Sequence, residues 1–292
     1  MSQNKSHSKT YISSSCVKHE KILGSIRELN SVGIRAIELS GGTKPYTDME
    51  TDLVQMKKEG VDLMLHNYFP PPQEDFVLNL GSSNKQIYHK SKEHCKRAID
   101  LSIKLGSTKY AFHAGFFIDI KVSEIGKKLG HSKLTDKSLS FDRFCSAYEE
   151  LKILAGNDVQ LYVENNVFSR SNKETFDGEN PLMFTDLESY LELKNKVDFI
   201  PLLDVAHLKV STKSLEKDFE KELTELSRLT DYIHISDNDG THDTNGYFDN
   251  ESPLASQLAK LEWHNKTVTL EVYEDLDLVL GSRDNFQGIA NG

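Results

Sequence analysis

Eight short apolar stretches recur along the chain, separated by longer polar segments that carry their own apolar stripe. They are TYISSS (10–15), IRAIEL (34–39), VDLMLH (61–66), KYAFHA (109–114), VQLYVE (159–164), DFIPLLD (198–204), DYIHIS (231–236) and TVTLEV (267–272). Each has the length of a buried strand. Between them HEKILGSIRELNSVG, KEHCKRAIDLSIKLG, FDRFCSAYEELKILAG and DLESYLELKNK space their apolar residues as helices do, and several end in glycine, the common helix stop. Strands alternating with helices predict an α/β fold with a parallel sheet. With no linker, low-complexity tract or internal repeat, eight such units predict a single-domain (β/α)8 TIM barrel over residues 1–292; the competing architecture is an open doubly wound sheet.

The pattern breaks in the same way at nearly every strand end. Glu38, His66, His113, Glu164, Asp204, His234 and Glu271 each follow an apolar run, where a barrel builds its active site. Singly, each reads as a hydrogen-bonded or ion-paired residue. Converging on one mouth, they would crowd carboxylates out of water, at a cost of several kcal/mol per charge unless a cation compensates. Oxygen and imidazole donors without thiolates suit a divalent metal such as Mn2+, Zn2+, Co2+ or Mg2+.

The stretch DYIHISDNDGTHDTN (231–245) concentrates this chemistry. His234 is its strand-end ligand, Asp237 and Asp239 are expected to shape the loop through side-chain turns, and Asp243 is placed to serve a second ion. His207, three residues after Asp204, is expected to reach the mouth as a further ligand or a substrate contact. Glu38 is expected to meet substrate hydroxyls or to cap a helix. Tyr68, Phe69, Phe116 and Phe117 are candidate walls for a sugar face, and Pro70 to Pro72 stiffen that loop. Arg170 and Lys173 read either as phosphate contacts or as a solvated loop.

Composition narrows the classes. The formal net charge of −10, without a dense basic face, disfavours a polyanion partner, and the lysines between Lys121 and Lys137 read as a solvated loop and helix face. No apolar run approaches the roughly 20 residues of a membrane span. The opening MSQNKSHSKT lacks the apolar core of a secretory signal, so a cytoplasmic location is expected. Cys16, Cys95 and Cys145 are far apart, and each is expected to be inert. The glycine-rich phosphate loops of nucleotide folds and the GxSxG nucleophile elbow are missing.

The motifs HNYFPP, FHAGF, VENN, LDVAH, HISDND and LEVY, in this order, resemble the xylose-isomerase-like TIM-barrel superfamily. That superfamily includes sugar and sugar-phosphate isomerases and epimerases, and apurinic-site endonucleases of the endonuclease-IV type. In its epimerase branch the resemblance implies one metal held by Glu164, Asp204, His234 and Glu271. Glu164 and Glu271 would act there as acid and base, and His207, with Glu38, His66 and His113 around it, would contact substrate. In its endonuclease branch the resemblance implies further metal ligands at His66, His113, His207 and Asp243. That branch carries one more histidine where this chain has Asn245, so a ligand is missing unless His242 replaces it.

The expected function is therefore a metal-dependent isomerase or epimerase. It would act on a small-molecule sugar or sugar phosphate by proton transfer through a metal-stabilised enediolate. The alternatives are an endonuclease-IV-like phosphodiesterase and a related lyase or dehydratase. The acidic balance and Asn245 argue against a nucleic-acid partner, no membrane partner is expected, and a homo-oligomer is left open.

Overall fold

All eight apolar stretches form strands in the computed structural model, which describes residues 8–291. Most of the polar opening segment, residues 1–7, lies outside that range. The strands are β1 (Lys9–Ser13), β2 (Ala36–Leu39), β3 (Asp62–His66), β4 (Lys109–His113), β5 (Gln160–Glu164), β6 (Ile200–Asp204), β7 (Tyr232–Ile235) and β8 (Thr267–Leu270). They pair in parallel and in sequence order, and β8 returns to β1 to close the barrel. The helices around it are α1 (Ile22–Ser31), α2 (Met49–Lys58), α3 (Lys85–Leu105), α4 (Lys137–Ala155), α5 (Arg170–Thr175), α6 (Leu187–Lys194), α7 (Val205–Leu215), α8 (Phe219–Ser227), α9 (Pro253–Leu258) and α10 (Leu276–Asn291).

Two details differ from the sequence reading. The first strand stops at Ser13 and a short 3-10 turn, Ser14–Cys16, follows; Glu271 lies one residue beyond β8. Both reflect chain leaving the ladder at the barrel rim.

Successive side chains of a strand point to opposite faces. Outward residues such as Ile37, Leu65, Phe112, Val163, Leu203 and Ile233 therefore join the main core beneath the helices. Inward residues stack in layers. Met64 lies two positions before His66, Ala111 before His113, Tyr162 before Glu164, Leu202 before Asp204, and Tyr232 before His234. With Tyr11 they form a separate apolar cluster that fills the bore. At its lower edge the Tyr11 hydroxyl donates to Asp62 at 2.7 Å, Tyr162 donates to Asp231 at 2.6 Å, and Lys109 donates to the Tyr162 hydroxyl at 2.7 Å. The acids and imidazoles thus stand one layer above a packed floor.

Around the mouth the long loops are held by buried amides. Asn79, after β3, accepts from the backbone N–H groups of Gly81 (2.9 Å) and Phe116 (3.0 Å), and donates to the carbonyls of Phe116 (3.3 Å) and Ile118 (3.1 Å). It joins the loop after β3 to the loop after β4. Gly115 allows the close approach: a Cβ there would sit 3.2 Å from both the Asn79 Oδ1 and the Gly81 nitrogen.

The three cysteines are free, two of them buried. No helix among the described residues is long and apolar enough to cross a membrane.

Truncating Asn79 leaves buried donors and acceptors of two loops unpaired. Asn79→Ala is expected to lower unfolding free energy by about 2–4 kcal/mol, read from urea denaturation. A loss below about 0.5 kcal/mol would show that the two loops stay joined without it.

Candidate active site

The strand-end layer gathers its residues at the floor of one cavity. His66, His113, Glu164, His207, Asp243 and Glu271 border a space of about 580 Å3. Asp204 and His234 are buried just beneath it. Across neighbouring strands His113 is paired with Glu164, and Asp204 with His234, so the closed sheet itself sets these spacings.

Glu164 is the hub. Its Oε2 accepts from His66 Nε2 at 2.7 Å and lies 3.2 Å from His113 Nδ1, while its Oε1 lies 3.7 Å from His234 Nδ1 and 3.8 Å from His207 Nδ1. Glu271 Oε2 approaches the same His234 nitrogen at 3.5 Å. The two glutamates therefore meet at one imidazole nitrogen at the cavity floor.

Backbone contacts hold the remaining side chains. Asp204 caps α7, its Oδ1 accepting from the His207 N–H at 2.7 Å. Asn165 bonds the Asp204 backbone on both sides, accepting from its N–H at 2.7 Å and donating to its carbonyl at 3.0 Å. His207 Nδ1 lies 2.9 Å from the Asn165 carbonyl. A carbonyl oxygen accepts and cannot donate, so Nδ1 carries the hydrogen and Nε2 is turned to Asp243 Oδ2, 3.2 Å away. Asn166 donates to the carbonyls of Ala114 and Met183, fixing the loop after β5.

The arrangement fits a divalent cation. His234 Nδ1 and Glu164 Oε1 are buried and reach no hydrogen-bond partner, although buried polar atoms are normally paired. Glu164, Asp204 and His234 each bring a donor atom within 4.8 Å of the others, and so do His113, Glu164 and His207. Glu271 joins a further such group through His234, with Glu38 and His66. The residues read as a second-ion set lie close together, His113 and His207 sharing a group with Glu164. His66 and His113 converge on Glu164, and His207 turns its Nε2 to Asp243.

Charge compensation appears in the titration of the cluster. Burial pushes Glu164 up, but His113, His66 and His234 outweigh it and hold the carboxyl well below the ordinary range. Burial likewise opposes ionisation of Glu271, and the His234 imidazole brings it down to about 2. Asp204, dominated by burial, rises to about 7. Burial alone would lower His234, His207 and His66, yet adjoining carboxylates raise all three above the usual imidazole value. His113, the most weakly compensated, falls to about 4 by burial.

Other sequence expectations divide. Tyr68 and Phe116 line the cavity, whereas Phe69 and Phe117 belong to the core. Asp237 and Asp239 shape the loop as expected, accepting from the N–H groups of Asn238 (2.8 Å) and Thr241 (2.7 Å). Arg170 pairs with Glu174, and Lys173 binds the Ser214 carbonyl and Glu216, so neither is free for a phosphate. Asn245, with its amide nitrogen turned to Asp243, donates to both carboxylate oxygens at 3.0 and 3.1 Å. His242 is exposed at the edge of the cavity, meets Thr241, and belongs to none of the ligand groups found among the described residues. Glu38 caps no helix and does not border the cavity. The sequence reading assigned no role to Asn165, Asn166, Tyr232 or Thr269. The signal for the asparagines was two amides directly after a strand-end glutamate.

Fold and floor together define a TIM barrel whose C-terminal mouth gathers side chains of the types that could hold a metal ion. The family model described as a xylose-isomerase-like TIM barrel matches residues 26–289, and the chain belongs to that family. Among curated proteins none matches in sequence. Among solved structures it is similar to a D-tagatose 3-epimerase-like protein, at 17% identity and TM-score 0.72 over 97% of this chain and 98% of that one. It is also similar to a 3-keto-D-glucoside 4-epimerase from E. coli, at 13% identity and TM-score 0.65 over 98% and 100% of the two chains. Endonuclease IV from Thermus thermophilus follows at 12% identity and TM-score 0.59 over 97% and 98%. At these identities the likeness is one of fold.

The raised imidazoles contribute stability that is complete below their unfolded value of about 6.5 and is lost as pH rises through the folded values. Asp204, also raised, acts in the same direction. Chelator-treated protein is therefore expected to lose melting temperature as pH rises above about 6.5. Thermal unfolding across that range measures it, and a flat profile would mean that the imidazoles are neutral throughout.

Proposed function

We propose that the protein is a divalent-metal-dependent isomerase or epimerase acting on a sugar or sugar phosphate. The observation that supports this reading is that Glu164 and Glu271 both approach His234 Nδ1, at 3.7 and 3.5 Å, and both line the cavity. Epimerisation beside a carbonyl needs a proton taken from one face of a carbon and returned on the other, so two carboxylates around one point are its minimal apparatus. The epimerases among its structural neighbours support the same reading.

Glu164, Asp204, His234 and Glu271 would hold the ion. When bound, it supplies polarisation of a substrate carbonyl, which lowers the pKa of the neighbouring C–H. The chain's residues do the rest. Glu164 and Glu271 are ionised at neutral pH, their carboxyls held down by imidazoles, and so can accept a proton. His207 turns Nε2 toward the cavity side, where it can donate to a substrate oxygen once drawn from Asp243. His66 and His113 position Glu164 by their contacts with its Oε2.

A phosphodiesterase reading has one observation in its favour, the grouping of His113 and His207 with Glu164, donors that could serve a second ion. The Asn245 amide already engages both oxygens of Asp243, and this weakens any third one.

Metal analysis followed by assays on ketoses, sugar phosphates and abasic-site DNA tests the proposal. Glu164→Gln and Glu271→Gln are each expected to lower turnover at least about 100-fold and to abolish incorporation of solvent deuterium at a sugar carbon. Strand cleavage at abasic sites with no such exchange would overturn the isomerase reading in favour of the hydrolase.

A further inference from the structure

Glu38, like Asp204, is an acid of the strand-end layer that does not border the cavity. Glu38, the last inward residue of β2, is fully buried, and its carboxylate sits behind the two imidazoles His234 and His66. Its Oε2 accepts from the Tyr232 hydroxyl and from Thr269 Oγ1 (2.8 Å), and lies 3.1 Å from His234 Nε2. Its Oε1 finds no hydrogen-bond partner and lies 3.7 Å from His66 Nδ1. Tyr232 stands one inward layer below His234 on β7, and Thr269 is the register partner of His234 on β8. The two hydroxyls therefore clamp the carboxylate at a fixed point of the barrel.

The geometry of His234 then follows. Oε2 already accepts from two hydroxyls and is therefore an acceptor, so the ring presents Nε2–H to Glu38 and turns Nδ1 to Glu164 and Glu271. His66 is oriented in the same sense. Its Nδ1 faces Glu38 Oε1, and its Nε2 reaches Glu164 Oε2. A histidine that binds a metal through one nitrogen commonly donates through the other to a carboxylate, which fixes the ring and raises its basicity as a ligand.

We infer that Glu38 is a positioning residue for the metal centre, a carboxylate that fixes the ring orientation of His234 through Oε2. Glu38 is near enough to His66, His234 and Glu271 to be read as a ligand itself. Three contacts already converge on Oε2, and the His234 ring lies between that oxygen and the unpaired atoms Nδ1 and Glu164 Oε1. Those contacts favour the positioning role.

The inference rests on the metal reading above, and its test separates the two. Glu38→Gln preserves volume and an acceptor for Tyr232 but replaces one carboxylate oxygen with an amide. Three quantities are measured on both proteins: melting temperature, affinity for Zn2+ and Co2+ by chelator competition, and the Nε2–H proton of His234 by 15N-edited NMR. The parent is expected to show a protected, downfield Nε2–H resonance with or without metal. Glu38→Gln is expected to lose it, to bind metal about 10- to 100-fold more weakly, and to keep the Co2+ absorption bands of the parent once saturated. Tyr232→Phe, which loosens the clamp and leaves the carboxylate, is expected to fall between them.

Absence of the resonance in the parent, or its persistence in Glu38→Gln with unchanged affinity, would overturn the positioning role. A Co2+ spectrum altered at saturation would overturn it in favour of direct ligation. A parent that binds no metal would defeat the proposed function, while the resonance would still decide what Glu38 does to His234.

Discussion

Electroneutrality in a desolvated space is the constraint from which the other features of this barrel follow. Glu38, Glu164, Asp204, Asp243 and Glu271 meet His66, His113, His207 and His234 within a few ångströms, most of them out of contact with water. Charges so placed must find counter-charges or lose their protons to one another. His66, His207 and His234 are raised by the carboxylates beside them, Glu164 and Glu271 are held down by imidazoles, and Asp204, where burial dominates, is driven toward the neutral form. A divalent ion would replace several of these mutual accommodations by one stronger partner. The tyrosine-rich layer below and the asparagine staples beside it keep the geometry in which that exchange is possible.

Much of this is legible before folding because a strand has a period of two. A polar residue that closes an apolar run, such as Glu164 after QLYV or His234 after DYI, declares both its position at the rim and the direction it faces. The barrel and its strand-end layer follow from that rule and from the eightfold repetition. The contents of the layer above and the layer below follow less directly. Glu38 obeys the same sequence rule as Glu164, yet it faces a tyrosine and a threonine from strands that are distant in sequence, and it ends behind an imidazole instead of in front of a substrate. Sequence position marks the rim, while cross-strand neighbours decide which side of the floor a group serves. Helices α5 and α9 gave no periodic signal because they are six residues long, too short for an apolar stripe to repeat.

The mouth shows where one scaffold can be tuned for different chemistry. The inward layer is dictated by barrel closure, but the walls come from loops after β3, β4 and β5, with Val77, Phe116, Ile120, Leu129, Val167 and Leu182 facing a polar floor. Asn245 is a local decision of the same kind. It lies in the left-handed region with φ 49° and sets an amide against the carboxylate of Asp243. Changes of this sort alter what the floor can do without touching the strands that build it.

The filled bore has a consequence for traffic. Tyr162 and Tyr232 stack edge to face at 5.2 Å between ring centres, and below them Lys109, Asp231 and Tyr162 close the far end with a polar plug. The barrel is thus a well and not a tunnel. Whatever descends to the imidazoles must climb back past the same loops, so an incoming reactant and a departing product share one doorway and cannot pass each other in it.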